Sequence, residues 1–109
     1  MKIVKTVFLE DCFDSKRRLE IHLSHSITED FINFFCSRGD IIYYKNFPKP
    51  LFKGDLFPGS PDEISVIGIL GSPTFEAILP SKAGALEKLE ELVLQSPVPS
   101  HQEKTEENE

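Results

Sequence analysis

The chain has 109 residues, 39% of them hydrophobic, with nine Phe, two Tyr and no Trp. That is enough for one domain and too little for two, and a domain of this size buries only a modest core, so association between copies is a natural source of extra stability. The formal charge is −6, and the last nine residues, with four Glu and one Lys, carry half of it; a mildly acidic body without a basic face excludes an electrostatic nucleic-acid surface.

Residues 2–9, Lys-Ile-Val-Lys-Thr-Val-Phe-Leu, are rich in β-branched residues and predict a strand. Lys5 breaks its apolar stretch and no h-region follows, so no signal peptide is expected. No run approaches the roughly 18–20 apolar residues that cross a bilayer, which predicts no membrane insertion and a cytoplasmic location. Cys12 and Cys36 form no CxxC pair and read as free thiols, the first near a turn and the second packed on a helix. Asp11, Asp14 and Ser15 mark a connection. Over residues 18–23, Leu19, Ile21 and Leu23 alternate with Arg18, Glu20 and His22, the pattern of a half-buried strand.

Ser26-Ile27-Thr28-Glu29 fits a capping box, in which the Ser26 hydroxyl accepts from the Glu29 amide and Glu29 reaches back to the Ser26 amide. Ile27, Phe31, Phe34 and Phe35 follow at helical spacing, Arg38 falls in the last turn and Gly39 just past it, so a helix over 27–38 is predicted. Residues 40–47 read as the next strand. From 48 to 62 four prolines and two glycines predict a long irregular loop, a candidate functional segment whose Leu51, Phe52, Leu56 and Phe57 need something to pack on. Residues 64–70 read as a strand, with a short helical turn from Pro61-Asp62-Glu63 as the alternative. Over 74–79, Phe75, Ala77 and Leu79 share one face. Ser81 is placed to cap a second helix with a buried stripe of Ala85, Leu86, Leu89, Leu92 and Val93, ending near Gln95. Residues 97–109 are expected to be a disordered acidic tail, which leaves 1–96 as the domain.

From residue 18 the order strand, helix, strand, long loop, strand, helix matches a ferredoxin-like α/β plait without its last strand. With the strand over 2–9 the order is β-βαββα. The segment Arg18-Leu19-Glu20-Ile21-His22-Leu23, leading into a capped helix and then Gly39-Asp40-Ile41-Ile42, resembles the PII and CutA superfamily. So does Phe75-Glu76-Ala77-Ile78-Leu79-Pro80, leading into the second helix. The likeness is greatest to small PII-like bacterial proteins and covers about residues 17–94. It implies an α+β fold and an antiparallel sheet with two helices on one face; the strand at 2–9 is additional to the superfamily pattern and can fill the place of the missing fourth strand. It implies a homotrimer with the sheets facing inward, and a regulatory or sensor role in which the loop at 47–63 and the clefts between subunits bind a small effector or a protein partner. Two features depart from the superfamily and put adenine-nucleotide binding in doubt: no Gly lies within 95–100, and 47–63 lacks the nucleotide-contacting pattern.

The candidate ligand contacts are Lys45, Lys49 and Lys53, which can steer a small anion, with Gly54 beside them; read otherwise, they are solvated loop charge. His22 and His25, three apart, are candidate metal ligands of a CutA-like divalent-metal-binding or metal-tolerance protein, with Cys36 and Asp40 further on; read otherwise, they are surface or interface histidines. Catalysis has no motif behind it: there is no nucleophile elbow, no HExxH, no Walker loop, and nothing pairs Asp11, Asp14, Glu20 or Glu76. No cofactor is indicated. Ile42, Tyr44 and Ile78 lie on the second faces of their strands, where helices on one side of a sheet would leave them in water; such a patch on a small domain predicts an interface.

Overall fold

The computed structural model describes residues 1–13, 15–82 and 84–98. Asp14, Ala83 and residues 99–109 lie outside the described residues, and with them most of the 97–109 tail for which disorder is expected; Val98, at its start, packs partly buried against the core. The elements are β1 (Ile3–Cys12), β2 (Lys16–Leu23), α1 (Glu29–Arg38), β3 (Gly39–Tyr44), β4 (Leu51–Leu56), β5 (Ile64–Ile69), β6 (Thr74–Pro80) and α2 (Ala85–Gln95). The six strands form one antiparallel sheet in the order β1-β2-β6-β5-β4-β3.

That order overturns the ferredoxin-like plait. Here α1 carries the chain from β2 across to the far edge, and β3 to β6 meander back until β6 lies beside β2. β1 fills no vacant place in a plait; it is the outer strand of a hairpin with β2. The expectation failed at 48–62, where a strand sits inside the expected loop. Pro48 and Pro50 precede β4, and Pro58 and Pro61 follow it, so the prolines bound the strand without removing a ladder donor from it. Its core side carries Phe52, Gly54 and Leu56. A Cβ at Gly54 would come within 2.6 Å of the Ile41 Cα, so the close approach of β3 and β4 needs the residue that blurs the alternation.

Both helices begin later than their sequence signals. The N-cap of α1 is Thr28, whose Oγ1 accepts from the Phe31 amide at 3.2 Å, and not Ser26. The reason is Ile27. Its amide donates to Ser72 O at 2.8 Å and its carbonyl accepts from Gly71 N at 2.9 Å, which pins it to the β5–β6 turn in place of a helical turn. For α2 the N-cap is Gly84, at φ 94° and with no side-chain bond. Ser81 is held elsewhere, its amide donating to Ser15 O at 2.9 Å across the β1–β2 turn.

Both helices bury their apolar faces against the same side of the sheet, in one cluster with Leu19, Ile21, Ile41, Val66, Ala77 and Leu79. At its centre Phe31 and Phe35 of α1 meet Phe52 of β4 and Phe75 of β6. The Phe31–Phe35 centroids are 4.5 Å apart, and Phe35 stands edge-on to both Phe52 and Phe75 at 89°. Gly68 of β5 lies beneath, where a Cβ would meet Phe52 Cε1 at 2.6 Å and Phe75 Cβ at 2.8 Å. Phe31 is fully buried, so Phe31→Ala should cost roughly 3–5 kcal/mol of unfolding free energy. Gly68→Ala should cost about 1–3 kcal/mol by overpacking, although it adds one methyl group. Denaturant titration measures both, and a neutral Gly68→Ala would mean that the two rings yield freely.

The turn after β4 is tied to α2 through Asp62, which accepts from Lys88 Nζ at 2.7 Å and pairs with Lys82 Nζ at 3.1 Å. The bonds to Lys88 and Lys82 hold the Asp62 carboxyl below its ordinary value. A carboxylate favoured by the fold stabilises it above the ordinary value of about 3.9, and that contribution is lost as pH falls through the lowered folded value. The stability difference between the protein and its Asp62→Asn variant should therefore be present at neutral pH and close in strong acid. A difference that persisted there, in unfolding curves taken across pH, would contradict the linkage.

Candidate functional site

With both helices on one side, the opposite face of the sheet is open, and strand register sets which side chains meet there. The middle row reads Ile42, Lys53, Ile67, Glu76, Glu20 and Val7 from β3 across to β1. On one side of it run Asp40, Asp55, Ser65, Ile78, Arg18 and Glu10. On the other side Tyr44, Leu51 and Ile69 come from the β3 half, and Thr74, His22 and Lys5 from the β1 half. Isoleucines thus alternate with charges, and Ile42, Ile67 and Ile69 are 57%, 42% and 42% exposed.

Two open clefts lie on this face, with Ile67 and Glu76 lining both. The larger, about 440 Å³, is also lined by Arg18, Lys53, Asp55 and Ile78. The smaller, about 310 Å³, has Glu20, Leu51, Ile69 and Thr74. Most of the charges are engaged. Glu20 and Glu76 face each other across β2 and β6, an unfavourable pairing. It is relieved by His22, whose Nε2 lies 2.9 Å from Glu20 Oε1, and by Arg18, whose guanidinium lies 3.6 Å from Glu76 Oε1. Ser65 Oγ donates to Asp55 Oδ1 at 2.7 Å.

One cationic group in the larger cleft is left over. Among the described residues Lys53 has no ion-pair partner. The Arg18 Nε is out of contact with solvent and has no hydrogen-bond partner there; its 3.5 Å approach to Glu10 Oε2 is an ion-pair separation without hydrogen-bond geometry.

The structure separates the residues that the sequence grouped. Lys53 lies on β4 in the cleft, whereas Lys45 and Lys49 are exposed in the β3–β4 turn, with Lys45 Nζ 5.9 Å from the Tyr43 ring centroid. Gly54 lines the same cleft as Lys53 and also allows the close β3–β4 approach. His22 is directed to Glu20 and His25 to Ser24 Oγ at 2.9 Å; among the described residues no three His, Cys, Asp or Glu side chains gather in a way that could hold a metal ion. Cys36 lies on α1, on the helix side, and burial pushes its thiol up and away from the reactive thiolate. Arg18 and Glu76 were missed as a ligand site, and only the β2–β6 register brings them together. No helix among the described residues is long and apolar enough to cross a membrane. No family model, no curated protein and no solved structure matches the chain.

Proposed function

We propose that the protein is a non-catalytic regulatory or sensor protein of the cytoplasm, a homo-oligomer that binds a small amphipathic anion on the open face of its sheet. The observation that carries this reading is the larger cleft. It holds an unpaired ammonium at Lys53 beside the apolar side chains of Ile67 and Ile78, with the Arg18 guanidinium on its wall. A cationic end next to an apolar floor fits a carboxylate with a hydrocarbon body, and the volume lies within the roughly 300–1,000 Å³ of small-molecule sites. The effector site thus moves from the expected loop to the sheet, and the three-fold symmetry that came with the plait loses its basis.

A medium-chain carboxylate, octanoate, is the probe. Titrated into isotope-labelled protein, it should shift the amide signals of Lys53, Ile67 and Ile78 ahead of those on α1 and α2. Lys53→Ala should weaken binding about tenfold, the equivalent of one charge-assisted hydrogen bond. Shifts confined to the helix side, or affinity unchanged by Lys53→Ala, would remove the reading.

A further inference from the structure

The two edges of the sheet are built differently. β1 is irregular: its register with β2 shifts between Ile3 and Lys5 and again between Phe8 and Glu10, which leaves Val4 and Leu9 as bulge residues. Lys2, Lys5, Glu10 and Asp11 add charge along it. Bulges and charge are the devices that stop a sheet edge from pairing with another chain. β3, at the other edge, has no bulge and a single charge, Asp40, between its ends. It pairs with β4 in unbroken register over Gly39–Tyr44, Ile-Ile-Tyr follow Asp40 in its interior, and among the described residues nothing hydrogen-bonds to its outer side.

We infer that β3 pairs antiparallel with β3 of a second copy, so that two chains form one twelve-stranded sheet about a two-fold axis. Residues opposed across an antiparallel pair share a face, so the axis must set one residue against itself. Centred on Ile41, Asp40 would oppose Ile42; centred on Tyr43, the pairing would run past the end of the strand. Centred on Ile42, two isoleucines that are 57% exposed cover each other. Each Asp40 carboxylate then faces a Tyr44 hydroxyl, a donor it can accept from.

Charge on α1 supports the same arrangement. The Tyr43 hydroxyl donates to Glu29 Oε2 at 2.9 Å, which places the first turn of α1 by the far end of β3, while Arg38 directly precedes Gly39 at the near end. The helix therefore runs antiparallel to its own strand along this edge. The two-fold axis brings the acidic first turn, Glu29 and Asp30, toward Arg38 of the second copy. Arg38 lies over the Phe34 ring at 4.8 Å and has no ion-pair partner among the described residues. This inference specifies the homo-oligomer in the proposed function and is independent of what binds in the cleft. Edge pairing leaves both open faces uncovered.

Sedimentation of the full chain at micromolar concentration is the test, with circular dichroism to check that each variant is folded. A dimer is expected. Arg38→Glu should weaken it about tenfold or more, and Glu29→Arg combined with Arg38→Glu should restore it, as close complementary charges do. Ile42→Lys should give a folded monomer, and Ile67→Lys, on the open face, should leave the dimer intact. An oligomer weakened by Ile67→Lys but indifferent to Arg38→Glu would overturn edge pairing and leave a homo-oligomer packed face to face. A monomer at every concentration would overturn both edge pairing and the homo-oligomer.

Discussion

Four phenylalanine rings fix the rest of the molecule. Phe31 and Phe35 come from one turn of α1, Phe52 from β4 and Phe75 from β6, and β5 passes beneath them with no side chain at Gly68. Edge-on and tilted rings at these distances attract beyond the area they bury. Because the cluster engages strands on both sides of β5, α1 has to cross the sheet on that side and no other. Once Phe52 and Phe75 face the helices, the period of two in a strand sends Lys53 and Glu76 to the opposite face. The open face and its clefts are thus a consequence of the core. A change that moved Phe52 off the helix side would also take Lys53 out of the cleft.

Elements whose periodicity is local were legible in the sequence. The alternation of Leu19, Ile21 and Leu23, and of Phe75, Ala77 and Leu79, marked β2 and β6, and the phenylalanine spacing marked α1. The second-face position of Ile42, Tyr44 and Ile78 was legible for the same reason. What could not be read is what distant residues decide. Ile27 sits in a helix-start motif but spends both backbone groups on residues 71 and 72. Gly54 interrupts the alternation of β4 for the sake of Ile41, on another strand. The plait has two strands between its helices, whereas 40–47, 64–70 and 74–79 already read as three and the unseen β4 makes four, which changes the edge that each strand occupies. At the site, Lys53 was recognised as a cation but placed in a loop. Its neighbours Ile42, Ile67 and Arg18 follow only from register, which no short window of sequence contains.

The open face also limits how its charges can be altered. Arg18 sits between Glu10 and Glu76, while Glu20 is shared between His22 and the facing Glu76. Removing Arg18 would leave two carboxylates opposed at the centre of the sheet with one imidazole beside them, so binding and stability are coupled at that residue. Lys53, with no such partner among the described residues, is free of this coupling.

The place of β6 in the sheet also has a consequence for the order of assembly during synthesis. β2 is made early, yet its inner neighbour is the last strand, and the register from Lys16–Pro80 to His22–Thr74 cannot form until residue 80 has left the ribosome. Until then the β1–β2 hairpin can bury Leu19 and Ile21 against nothing of its own, and an isolated hairpin is marginally stable in water. The β3–β5 meander, whose pairings are local, can form first and receive β6. The hairpin then docks in a closure that spans more than half the sequence, a type of contact that slows folding. The nascent chain therefore carries an unpaired inner edge on β2 for most of its synthesis, and β2 is the strand on which early aggregation would begin.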